Sequence, residues 1–260
     1  MPAPPPAFYP ENVLENANAT MTPDGPLAGQ STVRLGDRDI GLECEDSGTA
    51  STRTWKWDRG IGATSPTVHV LILAGRNLSG VAFTYATSTD DTTYTTRATF
   101  TPTSDAPLLV VFGTPFTMPR YARLTCAAPA NPVVFTEVFC SPRVALKWKP
   151  AAARLRQPTV PNVVFVTSFS GRTHGVKRGQ RRQSYVYEMF ASPDTDYTQV
   201  LAILDTIDDG ANPFWLETVR STASVPDIVW VRLDGAIDLQ GVDLMATEWT
   251  IPLTMTQELP

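Results

Sequence analysis

The chain has 260 residues, of which 42% are hydrophobic, and a formal net charge of −5. That is apolar material enough for one large β domain or two ordinary ones, and it excludes a disordered chain. No apolar run approaches the roughly 18 residues of a membrane helix, and the acidic balance argues against a general nucleic-acid binder, which needs surplus Lys and Arg to displace counterions.

The start, Met1-Pro2-Ala3-Pro4-Pro5-Pro6, has neither the basic nor the apolar region of a signal peptide. Residues 1–36, punctuated by Pro10, Pro23, Gly25, Pro26 and Gly29, read as an extended N-terminal arm that runs over a surface and pairs locally. The chain's 23 prolines, abundant Thr and short runs of Val and aromatic residues predict many strands joined by Pro-bearing turns. Within residues 37–148 the expected strands are 39–44, 52–57, 67–74, 81–87, 94–101, 106–112, 121–126 and 133–140. Trp55 and Trp57 share one face of the second strand, with Lys56 on the other. The third is nearly all apolar, so it is predicted to be a central strand covered on both sides. Residues 149–161, with Pro150 and Pro158 among basic residues, read as a linker.

Residues 162–260 form a second β unit with strands at 162–169, 183–190, 213–219, 227–233 and 242–253, and a turn-like basic segment at 171–179. Between them Tyr197, Val200, Leu201, Leu204 and Ile207 recur at helical spacing. Ser192 or Asp194 can cap this helix, Gly210 can close it, and Val200, Leu201 and Leu204 are expected to pack it on the sheet.

The run Val68-His69-Val70-Leu71-Ile72-Leu73-Ala74-Gly75-Arg76-Asn77-Leu78-Ser79-Gly80 is an apolar strand ending in a Gly-x-Asn-Leu turn. It resembles discoidin-like and galectin-like jelly-roll modules of phage tail proteins, over residues 37–148. Residues 160–260 resemble, in element order, the tail-tube fold of tube, distal tail and hub proteins. The helix is followed by Asn212-Pro213-Phe214-Trp215-Leu216, then Val229-Trp230-Val231-Arg232-Leu233-Asp234-Gly235, then Glu248-Trp249-Thr250-Ile251-Pro252-Leu253. In distal tail proteins the tube-like domain usually comes first; here it comes last. The resemblance implies a mainly β fold, a jelly-roll β-sandwich followed by a tail-tube-like β-sandwich or barrel with one flanking helix. It also implies a structural subunit of a phage tail tip, of distal tail, minor tail or baseplate hub type. Such a subunit would work in a ring of its own copies, hexamer or trimer, with tube, hub and fibre proteins as partners. Its place would be the tail of the virion, after synthesis in the host cytoplasm.

Neither histidine, His69 or His174, is accompanied by a Gly-x-Ser-x-Gly elbow, and no enzyme activity and no cofactor are expected. Asp90-Asp91, Asp194 with Asp196, and Asp208-Asp209 fall at predicted turns or a helix end and read as solvated turn residues, with calcium at Asp90-Asp91 as the alternative. Gly60-Ile61-Gly62 lacks the rest of a phosphate loop. Cys44, Cys126 and Cys140 fit no zinc or disulfide spacing and read as reduced, buried thiols.

The sharpest local feature is the basic stretch carrying Arg172, Lys177, Arg178, Arg181 and Arg182 in an acidic chain. It reads as an inter-subunit contact, as a contact with DNA in a tail lumen, or as a solvated hairpin tip. Trp55 and Trp57 read either as core or as a sugar-stacking platform. The second functional reading is therefore a carbohydrate-binding module or adhesin whose partner is a host-surface glycan. An exposed tryptophan pair favours that reading and a buried pair favours a scaffold. A third, a glycan hydrolase, needs an open cleft with two facing carboxylates.

Overall fold

The computed structural model describes residues 7–22, 25–48, 51–145, 154–156, 159–160, 163–167, 173–177, 182–191, 196–208, 211–218, 227–234, 240–241 and 249–257. The chain divides into two compact units, Ala7–Val144 with Phe214–Ile228, and Ala145–Pro213 with Val229–Leu259. In chain order the strands of the first long stretch are β1 (Ala7–Tyr9), β2 (Asn18–Thr22), β3 (Cys44–Glu45), β4 (Arg53–Asp58), β5 (Thr67–Arg76) and β6 (Phe83–Ser88). They continue with β7 (Thr95–Phe100), β8 (Leu108–Thr117), β9 (Tyr121–Cys126), β10 (Val134–Ser141) and β11 (Val144–Ala145). Then come β12 (Arg154–Arg156), β13 (Thr159–Val160), β14 (Val163–Thr167), β15 (Thr173–Lys177), β16 (Arg182–Ala191) and the helix α1 (Asp196–Thr206). The chain closes with β17 (Phe214–Thr218), β18 (Asp227–Leu233), β19 (Gln240–Gly241) and β20 (Trp249–Gln257).

The protein is mainly β, and its first unit is an antiparallel jelly-roll sandwich. One sheet runs β2-β4-β9-β6-β7 and the other β3-β10-β5-β8. Alternation decides which residues meet between them: β4 and β9 bury every second side chain, Trp55, Trp57, Ala122 and Leu124 among them. From the other sheet Val68, Leu71, Leu73, Phe135 and Val138 close the core. Trp55 meets Phe135 edge to face, with centroids 5.0 Å apart.

β5 is covered on both faces, as its apolar run predicts. Leu71 and Leu73 join the inter-sheet core, while Val70 and Ile72, on the opposite face, are equally buried. The turn after β5 has a steric logic. A Cβ on Gly75 would lie 2.0 Å from the Val134 carbonyl oxygen, so only glycine lets β5 and β10 approach there. Asn77 takes a positive φ of 60° and donates from Nδ2 to the Pro132 carbonyl, while Asp105 accepts from the Leu78 and Ser79 amides.

Several expected boundaries move. The expected arm does not lie over the sandwich: Val13, Leu14 and Leu35 are core residues and β2 pairs with β4, while β1 joins a separate sheet. The arm's apolar residues are too few to form a core alone and enough to complete one. The strand expected at 39–44 reduces to Cys44–Glu45, because Asp39 accepts the Gly41 amide and turns the chain. β17 also returns to this unit, pairing with β1 (Phe8 opposite Leu216), and Tyr9 donates to Glu217.

In the second unit β16 pairs with β20 along eight residue pairs, Ser184↔Thr256 to Ala191↔Trp249. Part of the expected linker is strand: β12 and β13 both pair with β16. The terminal strand lies at Trp249–Gln257, beyond the end expected for it. The helix forms where its period predicts; among the described side chains Ile203 is buried, as is Ile207 just past the helix end, Leu204 is half-buried and Leu201 is 37% exposed, while the side chain of Val200 lies outside the described ones. Ser192, Asp194 and Gly210 lie outside the described residues, and Asp208, at φ 51°, takes the left-handed conformation after the helix.

Candidate functional site

Trp55 and Trp57 are each 1% exposed, so the tryptophan pair is core and offers no platform to a sugar. The reason is register: both sit on the inward face of β4, opposite Leu124 and Ala122 of β9. Of the basic stretch, Arg172, Arg178 and Arg181 lie outside the described residues, while Lys177 ends β15 and Arg182 opens β16. The expectation of a single turn-like segment is corrected, because Thr173–Lys177 forms a strand paired with β14, Val163 opposite Lys177.

Asp90 caps the turn after β6. It accepts from the Thr92 and Thr93 amides and from the Ser88 hydroxyl, and those bonds hold its carboxyl far below the usual range. His69 lies where β5 shifts register against β8 and accepts the Arg143 amide at Nδ1. The three thiols are buried, and burial pushes Cys44 and Cys126 up to about 11 and Cys140 up to about 12, away from thiolate chemistry.

Strand register gathers chemistry at one end of the sandwich. Asn18, Asp58, Tyr121 and Ser88 are aligned across β2, β4, β9 and β6, and Thr67 faces Thr117 in the other sheet. The connections 10–17, 59–66, 89–94 and 118–120 therefore emerge together. Arg59 ties them: its guanidinium donates to the carbonyls of Val13 (3.0 Å), Met118 and Pro119 (both 3.3 Å) and Thr64. Ile61, in the same loop, is 91% exposed.

Beside these loops, on the outer face of the five-stranded sheet, lies a half-exposed cluster of aromatic and charged side chains. Arg120 grips Asp58 with two 2.7 Å bonds and stacks over Tyr121, 4.7 Å from the ring centroid. Those bonds hold the Asp58 carboxyl below its usual range. Lys56 pairs with Asp91 at 2.7 Å, Asp91 accepts the Tyr94 hydroxyl at 2.6 Å, and the Tyr94 ring carries the Arg123 guanidinium at 3.8 Å. Burial, then Asp91, pushes the Tyr94 hydroxyl up, so the phenol stays a donor. The rest of this face is a row of threonines in register, Thr22, Thr54, Thr125, Thr84 and Thr99.

A cleft of about 410 Å³ opens at the same end, lined by Glu15, Asn16, Asn18, Thr32, Asp37 and Trp57 among others. Its two carboxylates are engaged with the loops around them. Glu15 pairs with Arg38 at 2.6 Å, and Asp37 accepts the Asp39 amide.

The sequence reading singled out the tryptophans and overlooked Tyr94, Tyr121 and Arg123. The signal was available in β9, where Tyr-Ala-Arg-Leu-Thr-Cys alternates outward and inward as clearly as β4 does. The folding of residues 89–94 over the sheet was not available, since the contacts that hold it, Asp91 with Lys56 of β4 and Tyr94 with Arg123 of β9, join distant parts of the chain.

No family model matches the chain, and no curated protein matches it. Among solved structures it is similar to chitosan-binding module 1 of a chitosanase/glucanase from Paenibacillus sp. IK-5. The two share 20% identity over 51% of this chain and 99% of that one, with a TM-score of 0.43. It is also similar to CBM32-1 of a family 31 glycoside hydrolase from Clostridium perfringens, at 15% identity over 51% and 98% of the two chains and a TM-score of 0.43. The lectin domain of lectinolysin in complex with Lewis B antigen shares 19% identity over 50% and 95%, with a TM-score of 0.42. At such scores the likeness is a description of shape, and the functional reading rests on this chain's own residues.

Proposed function

We propose that the sandwich is a non-catalytic glycan-recognition module that binds through the loop end and outer face described above. The observation that carries this reading is the fixed pair Tyr94 and Tyr121, half-exposed and framed by donors (Lys56, Arg120, Arg123) and acceptors (Asp58, Asp91). A saccharide presents hydroxyls that need both kinds of partner and C–H surface that suits an aromatic edge or face. Because ion pairs and ring contacts already hold the side chains, little conformational entropy is lost on binding. A screen of the full chain against immobilised glycans tests this. Tyr121→Ala and Tyr94→Ala are expected to abolish retention that the parent shows. Retention unchanged in both variants contradicts the proposal.

A second reading, compatible with the first, is a subunit of a phage tail tip that assembles as a ring and presents the sandwich outward. The basic stretch supports it: it concentrates positive charge, with Lys177 at the end of β15 and Arg182 at the start of β16, in a chain of net charge −5, and acidic groups of a neighbouring copy would meet it. Reversing Arg178, Arg181 and Arg182 to Glu is expected to abolish any assembly seen by light scattering while circular dichroism stays unchanged. An assembly that survives the reversal removes the ring contact.

A further inference from the structure

We propose, resting on the glycan-recognition reading, that Arg123 is an anion-binding residue and that the glycan taken by this face carries a carboxylate. Three cations of the cluster, Lys56, Arg120 and Arg123, share two carboxylates, and both carboxylates are already taken: Asp58 by Arg120 and Asp91 by Lys56. Arg123 has no ion pair among the described residues, and its Nε is buried without a hydrogen-bond acceptor. Its neighbour directly across on β4 is another cation, Lys56. Asp91 already neutralises Lys56, so Arg123 is the cation of this cluster that has no carboxylate partner among the described residues.

The chemistry of the group narrows the ligand. A guanidinium is a planar fork of donors that matches a carboxylate with two parallel bonds, and it is weakly hydrated enough to make them at a half-buried site. Here the fork is already oriented. Lys56 holds Asp91, Asp91 holds the Tyr94 hydroxyl, and the Tyr94 ring supports the guanidinium. The threonine row beside it, with Thr125 two residues along β9, offers hydroxyls to the rest of the saccharide. A uronic-acid oligosaccharide supplies a carboxylate, ring hydroxyls and an apolar ring edge together.

Binding of oligogalacturonate, its fully methyl-esterified form and a neutral chito-oligosaccharide to the full chain, by calorimetry at low salt, tests the inference. The ester removes the charge and keeps the sugar skeleton. Oligogalacturonate is expected to bind more tightly than its ester, and added salt is expected to erase the difference. Arg123→Gln is expected to weaken binding of the acid on the order of ten- to a hundred-fold, the usual worth of a hydrogen bond to a charged group, and to weaken the ester by a smaller factor. Arg123→Lys, which keeps the charge without the fork, is expected to fall between. Emission from the buried Trp55 and Trp57 reports whether each variant is folded; should Arg123→Gln not fold, the acid and ester on the unaltered chain decide alone. Equal binding of acid and ester, or a folded Arg123→Gln that binds the acid as the parent does, overturns the inference and leaves glycan recognition standing. Failure of all three saccharides to bind overturns both.

Discussion

The two sheets of the sandwich meet the same core and turn different backs to their surroundings. In the five-stranded sheet, β4 and β9 alternate strictly: Trp55, Trp57, Ala122 and Leu124 point in, while Thr54, Lys56, Tyr121, Arg123 and Thr125 point out and stay partly exposed. In the four-stranded sheet β5 is buried on both sides. On that outer face of β10 the Arg38 guanidinium lies over the Phe139 ring, and Glu137 accepts from Asn12 Nδ2 and the Arg38 amide. A sheet face closed by its own chain is settled by packing, whereas a face left open with ordered polar groups is where recognition can act. Substitutions on the two faces are expected to differ accordingly.

The largest effect is expected inside. Trp55→Ala removes a fully buried indole from between the sheets and is expected to destabilise the protein by about 3–5 kcal/mol. Lys56→Ala, the next residue and outward, breaks one surface pair and is expected to cost at most about 1 kcal/mol. Urea melts of the two variants check this pair, and equal losses would mean that the alternation does not separate core from surface.

Next comes the covered back. Glu137 is 0% exposed, accepts from Asn12 Nδ2 (2.9 Å) and from the Arg38 amide (3.1 Å), and sits at a register shift of β10. Glu137→Ala removes the acceptor of the Arg38 amide and leaves Asn12 Nδ2 with the Val138 carbonyl, and it is expected to cost about 1–3 kcal/mol. Burial, with Asp37 nearby, raises its carboxyl well above the ordinary value of 4.5. The folded chain therefore keeps a proton that the unfolded chain has lost. The stability this proton brings is fully present below 4.5 and declines as pH rises from there toward the raised value. The stability difference between the parent and Glu137→Gln, followed by thermal melts from pH 4 upward, is expected to move against the parent; a constant difference would mean that Glu137 titrates normally.

The smallest effect on stability is expected on the open face. Thr84→Ala, in the middle of the threonine row, is expected to change stability by no more than about 0.5 kcal/mol, as a melt within error of the parent would show. A loss several times larger would mark this face as part of the packing.

Much of this contrast is legible in the chain. The alternation around Trp55 and the unbroken apolar run of β5 predict one half-buried and one fully buried strand, and the helix follows from five residues at helical spacing. What the sequence hides is non-local. Residues 7–35 carry too little pattern to reveal that they complete a core over 100 residues away, as Asn12 does at Glu137 and Cys140. The helix period includes Leu201, which stays exposed, and omits Ile203, which is buried, because the face that packs depends on what the helix meets. Lone tryptophans look like a binding platform until register turns them inward, and the tyrosines that do stay outside draw attention only once residues 89–94 are seen to fold over β9.

The central claim, recognition at the loop end and outer face, is tested most directly by mapping amide chemical shifts of the full chain during titration with a glycan retained in the screen. Perturbations are expected to concentrate at Lys56, Asp91, Tyr94, Tyr121 and Arg123, with Val70, Ile72 and Phe139 on the covered sheet unmoved. Perturbations confined to the other sheet, or a retained glycan that moves none of the five, would contradict it.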